Sequence, residues 1–70
     1  MSRKPFIIES FDPGRDDVLY FVGHNAEAAG WSPYPRDARQ FVNRQAAQDK
    51  IRELHALYGV NSELDAVAWS

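Results

Sequence analysis

Seventy residues with a formal charge of −2 and no cysteine leave room for one small hydrophobic core. They exclude a disulfide framework, a thiolate metal site and a thiol nucleophile. No apolar run approaches the roughly 20 residues that cross a bilayer, and Glu9 cuts the Phe6-Ile7-Ile8 run too short for a signal peptide, so a soluble, cytoplasmic protein of one domain (1–70) is expected, with residues 1–4 as a flexible basic tail.

Residues 6–11 alternate as a strand, with Phe6, Ile8 and Ser10 on one side and Ile7, Glu9 and Phe11 on the other. Asp12-Pro13-Gly14-Arg15-Asp16 is a turn in which proline presets φ, glycine accepts positive φ and Asp12 bonds back to the chain. The β-rich run 18–24 completes an antiparallel hairpin, with Gly23 marking a bulge or a close backbone approach. Residues 25–30 read as a loop with a single turn, and Trp31 follows. Pro35 suits the first turn of a short helix over 36–41.

The best-specified element is a helix over residues 44–58. Asn43 stands at its N-cap, Gly59 stands where a left-handed terminator is wanted, and Ala47, Ile51, Leu54 and Tyr58 form one apolar stripe. Asp49–Arg52 is the natural supporting ion pair. Alternation over 64–69 gives a third strand. The expected fold is α+β: a three-stranded antiparallel sheet in the order ββαβ, one main helix packed on one face, and a short helical turn before it. Phe6, Ile8, Tyr20, Val22, Phe41 and the helix stripe are the expected core.

The chemistry-bearing residues are sparse. His24 and Glu27 could share a turn, but a zinc site takes three or four protein ligands, so neither metal nor cofactor is implied. No glycine elbow surrounds Ser10, Ser32, Ser62 or Ser70, and no enzyme is expected. Charge is more informative. Before residue 36, Glu9, Asp12, Asp16, Asp17 and Glu27 stand against Arg15 alone in the span 5–35. The span 36–53 carries Arg36, Arg39, Arg44, Lys50 and Arg52 against Asp37, Asp49 and Glu53. The chain lacks the dense basic stripe that neutralises phosphates, so direct nucleic-acid binding is not expected. Nucleic-acid binding through Arg36, Arg39, Arg44 and Arg52 is a lesser alternative. The acidic residues Asp12, Asp16, Asp17 and Glu27 are candidates for a basic partner, although turns are rich in aspartate for their own reasons. Trp31 and Tyr34 are candidate anchors, the alternative being lids over the core edge.

The pattern Y-F-V-G (Tyr20 to Gly23), G-W (Gly30-Trp31), A-R-Q-F (Ala38 to Phe41) and N-R-Q-A-A (Asn43 to Ala47) resembles small phage and prophage accessory proteins. Among those, the resemblance points to anti-CRISPR inhibitors of type I systems. It implies a non-enzymatic protein, acting as a monomer in the host cytoplasm. It would bind a protein complex with a basic nucleic-acid-handling surface and block access of DNA, with no contact to a membrane. The basic span 36–53 departs from an acid-coated surface. A small structural or regulatory adaptor, dimerising through an exposed edge strand at 6–11 or 64–69, is the alternative.

Overall fold

Four strands and one long helix follow one another in the computed structural model, which describes residues 4–12, 14, 16–24, 28–58 and 63–69. Strands β1 (Phe6–Phe11), β2 (Val18–His24) and β3 (Ala29–Ser32) come first. A 3₁₀ turn (Pro35–Asp37), the helix α1 (Arg44–Tyr58) and strand β4 (Glu63–Ala68) complete the chain. All pairings are antiparallel, in the order β3-β2-β1-β4. The α+β class, the hairpin, the main helix and the C-terminal strand are as the sequence predicts. The sheet gains a fourth strand from residues 29–32, which the sequence reads as loop and the start of a bracket. The expected helix over 36–41 is replaced by the 3₁₀ turn and an extended segment. Glu27 and Gly59 lie outside the described residues, as do residues 1–3 of the expected tail. None of the described helices is long and apolar enough to cross a membrane.

Helix α1 starts where the cap chemistry puts it. Asn43 Oδ1 accepts the Ala46 N–H at 2.8 Å, and the Asn43 carbonyl accepts the first helical bond, from Ala47 N–H at 3.3 Å. Such a cap is worth about 1 kcal/mol. Ala47 and Leu54 are fully buried, and Ile51 and Tyr58 pack beside them. The opposite side carries the Asp49–Arg52 ion pair and a Gln45–Asp49 hydrogen bond. The helix covers one face of the sheet, over Ile8 of β1, Phe21 of β2 and Phe41.

The expected core requires one correction. Glu9 pairs with Tyr20 and Ser10 with Leu19, so the inward residue of β2 is Phe21, which is fully buried. Val22 is 38% exposed, and Tyr20 lies with it on the far face. A shift of one residue flips every side chain of a strand. The run Val-Leu-Tyr-Phe-Val is apolar on both sides, so its own alternation cannot choose.

Two irregularities shape the end of the sheet near Phe6. The first is a bulge in β2: Phe21 pairs with Trp31, but Gly23, not Val22, pairs with Gly30. Gly23 sits at φ 153°, where a side chain is strained. At Gly30 an added Cβ would lie 3.1 Å from Val22 Cγ2. The second is a wedge. The described β1–β2 register ends at Glu9/Tyr20. Beyond it, Arg39 N–H donates to the Phe21 carbonyl (2.8 Å), while Phe6 and Phe41 exchange both backbone bonds at 2.9 and 2.8 Å. Residues 39–41 thus fill the gap between two parting strands and place Phe41 against Phe21, ring centroids 6.5 Å apart.

Because the bulge re-aims the residues after it, His24 joins Phe21 on the helix face although it is three positions along the strand; their rings lie 6.0 Å apart. Gly23→Ala is expected to cost about 1–3 kcal/mol from the strained backbone and to displace His24 from the helix. Urea denaturation and the loss of the His24–Tyr58 contact by NMR check both effects.

Candidate functional site

Sequence reasoning puts the contact residues on two loops, and the structure separates them. Asp12 is a turn residue, its Oδ1 accepting Gly14 N–H at 2.9 Å. Asp16 and Asp17 are exposed beside it. Trp31 belongs to the helix side: it packs edge-on to Phe21 at 5.7 Å and is half-buried. Tyr34 is 53% exposed, but the Arg36 guanidinium covers its ring at 4.9 Å. The bracket around Tyr34 is closed by hydrogen bonds. Its N–H donates to Ser32 Oγ (3.1 Å), that hydroxyl donates to Asp37 Oδ2 (3.0 Å), and Asp37 N–H donates to the Tyr34 carbonyl (3.1 Å). Tyr34 therefore stands beside a cation and is not drawn into the acidic turn.

The face of the sheet away from the helix is what the sequence reading missed. Alternation and register place Ile7, Glu9 and Phe11 of β1, Val18, Tyr20 and Val22 of β2, and Glu63, Asp65 and Val67 of β4 on it together. At one level Tyr20, Glu9 and Asp65 stand side by side across three strands; at the next, Val18, Phe11 and Glu63 do. Phe11 is 47% exposed. The acidic turn at Asp12, Asp16 and Asp17 closes the end of this face where β1 and β2 meet. The four strands contain no lysine or arginine, and among the described residues no cation pairs with Glu9, Glu63 or Asp65. Directly opposed like charges such as Glu9 and Asp65 destabilise a strand pair. Among the described residues of the strands, carboxylates are thus the only charges on this face, and its apolar side chains are unevenly open: Phe11 and Val22 are exposed, Val18, Tyr20 and Val67 are half-buried, and Ile7 is buried.

The cations lie elsewhere. Arg44 sits 5.4 Å over the Phe6 ring and Arg39 5.9 Å over Phe41, so both guanidinium groups cap the edge of the core. Arg52 pairs with Asp49. With Arg36 on Tyr34, the four arginines of the basic span each lie against a side chain of this chain.

One further polar cluster lies between β2 and α1. Lys50 Nζ is 3.2 Å from His24 Nε2 and 2.5 Å from Glu53 Oε2, and Tyr58 Oη is 3.0 Å from His24 Nδ1. An ammonium only donates, so Nε2 is the acceptor and Nδ1–H donates to Tyr58. Both ring nitrogens are engaged, and neither is offered to a metal. Among the described residues no three His, Asp or Glu side chains converge as metal ligands. The Lys50 hydrogen bond and, less strongly, the Lys50 charge hold the Glu53 carboxyl below its ordinary value, against desolvation that raises it. The stabilisation from Glu53 is therefore present at neutral pH and is lost as the pH falls through and below the ordinary carboxylate value of 4.5. Beside His24 a shallow open groove of about 310 Å³ is lined by Gly23, Ala28, Ala29 and Gly30; among the described residues the engaged His24 is its only ionisable lining residue. The cluster ties β2 to the helix.

Comparison with protein families finds no family model that matches the chain, and comparison with curated proteins and with solved structures finds no match in either.

Proposed function

We propose that the protein is a non-catalytic inhibitor that lays the open face of its sheet on a basic, nucleic-acid-handling surface of a host protein complex. The observation that carries this reading is the confinement of Glu9, Glu63 and Asp65 to one face, with Phe11, Val18, Tyr20 and Val22, on which no described strand residue is a cation. Exposed apolar side chains, here Phe11 and Val22, set among charged ones suit a protein-binding patch. Its uniform sign selects a partner rich in lysine and arginine and steers the encounter. The resemblance of the sequence to phage accessory proteins narrows the partner to a type I CRISPR surveillance complex, whose DNA channel is such a surface. The acidic turn (Asp12, Asp16, Asp17) would extend the contact, with Tyr34 at its margin.

The test is inhibition of target-DNA binding by a purified type I surveillance complex, measured at 50 and 300 mM salt. Wild-type inhibition should weaken as the Debye length shrinks from about 14 to about 6 Å. Glu63→Lys/Asp65→Lys and Asp12→Lys/Asp16→Lys/Asp17→Lys, each verified as folded by circular dichroism, should lose inhibition by about tenfold or more. Undiminished inhibition by both folded variants would sink the acidic-face mechanism, and absence of inhibition by the wild type would sink the proposed partner.

A further inference from the structure

The two edges of the sheet are built differently. Strand β3 has four residues, meets a bulge in its neighbour and is followed by Pro33, all devices that discourage further pairing. Strand β4 has six residues in unbroken register with β1, without proline, glycine or bulge, and its only edge-blunting device is the pair of exposed carboxylates Glu63 and Asp65. Strand β1, the other edge expected from the sequence, lies between β2 and β4 and is unavailable.

The direction of the free groups on β4 follows from two bonds. Trp69 N–H donates to the Pro5 carbonyl, and Phe6, which stands opposite Ala68, turns both its backbone groups away to Phe41. Alternation then points the N–H and C=O of Glu63, Asp65 and Val67 at β1, and those of Leu64, Ala66 and Ala68 outward.

We infer that β4 pairs antiparallel with β4 of a second copy of this chain, about a two-fold axis through Ala66. In that register every outward group finds a partner: Ala66 meets Ala66 of the second copy, and Leu64 meets Ala68. On the helix side, Leu64 is set against the small Ala68. On the open side, Asp65 faces Val67 and Glu63 faces Trp69, so no like charges stand directly opposite. Centring the axis on Asp65 would oppose the two Asp65 carboxylates, and centring it on Val67 would bring Asp65 against Trp69 and leave Leu64 without a partner strand. The Ala66 register joins the two sheets into eight strands and makes one row of carboxylates, Glu9–Asp65–Asp65–Glu9, across the open face. The two central carboxylates are diagonal neighbours about 7–8 Å apart, so added salt strengthens the dimer. A contact of one strand pair is smaller than the roughly 1,600 Å² of a standard interface, and the dimer is therefore concentration-dependent. On this inference the protein would not be the monomer expected from the sequence.

The absence of cysteine makes the register directly testable. In Ala66→Cys the paired Cα atoms would lie about 5.5 Å apart, inside the range a disulfide spans. In Ala68→Cys the introduced thiols face Leu64 of the other copy and do not meet. Under mild oxidation Ala66→Cys should form covalent dimer about tenfold faster or more than Ala68→Cys, and sedimentation equilibrium of the wild type should show a dimer fraction that rises with protein concentration and with salt. Ala66→Pro, which removes an outward N–H and no bond to β1, should be monomeric; if it fails to fold, the cysteine pair decides alone. A wild-type monomer at all concentrations, or equal cross-linking of the two cysteine variants, overturns the inference. Opposite salt responses separate it from the inhibitor reading: salt should weaken partner binding but favour self-pairing.

Discussion

Phe21→Ala is expected to remove about half or more of the protein's stability at 25 °C. A 70-residue chain has a stability of roughly 3–10 kcal/mol. Truncating a fully buried phenylalanine costs about 3–5 kcal/mol, because the lost transfer energy is joined by the cavity left behind. At Phe21 that cavity would open at the meeting point of Trp31, Phe41 and His24, whose rings lie 5.7, 6.5 and 6.0 Å away. The wedge segment has little freedom to collapse into it, since Arg39 and Phe41 are fixed by backbone bonds to Phe21 and Phe6. Val22→Ala, one residue along and 38% exposed, should cost under about 1 kcal/mol. Urea denaturation followed by Trp31 fluorescence measures both. The contrast decides the register of β2, for if Tyr20 and Val22 faced the helix the two costs would be reversed.

That register marks the limit of what the chain announces about its fold. Helix α1 is legible because Asn43, the apolar stripe and the flanking charges all point to one period and one start. Strand β1 is legible because Glu9 and Ser10 break its apolar run. Strand β3 is not: Ala-Gly-Trp-Ser carries no alternation, and its place is set by the bulge at Gly23 and the close approach of Gly30 to Val22, both tertiary events. The candidate site was legible in sign but not in position. The acidic turn is visible as a local cluster, whereas Glu9 and Asp65 become neighbours only through the pairing of the first strand with the last. One signal was present in the sequence: every aspartate and glutamate within the four strands falls on positions of one parity, facing away from the helix stripe. Trp31 was legible as an aromatic too many, but its side of the sheet depends on the pairing of Phe21 with Trp31.

Asp65→Lys separates stability from function. In the free protein Asp65 stands directly opposite Glu9 on a shared face, an arrangement that opposes pairing of β1 with β4; lysine at this position converts it to an opposite-charge pair. The expected gain is about 0.5–1.5 kcal/mol, or roughly 2–10 °C in Tm for a domain of this size, read by thermal denaturation at low salt and shrinking at high salt. Glu9→Lys should act similarly from the other strand. The double variant Glu9→Lys/Asp65→Lys should lose the gain, since it restores a like-charge pair of the other sign, and that non-additivity identifies the pair as the source. If the open face grips a basic partner, the same stabilising Asp65→Lys change should weaken inhibition of the surveillance complex by about tenfold. A small domain that keeps a repulsive pair at the centre of its sheet, where a single substitution would relieve it, gives up stability it can ill spare. On the proposed function, the partner's cations would supply the missing half of that pair. A stabilised Asp65→Lys protein that still inhibits fully would show the Glu9–Asp65 repulsion to be a defect of the fold with no bearing on binding.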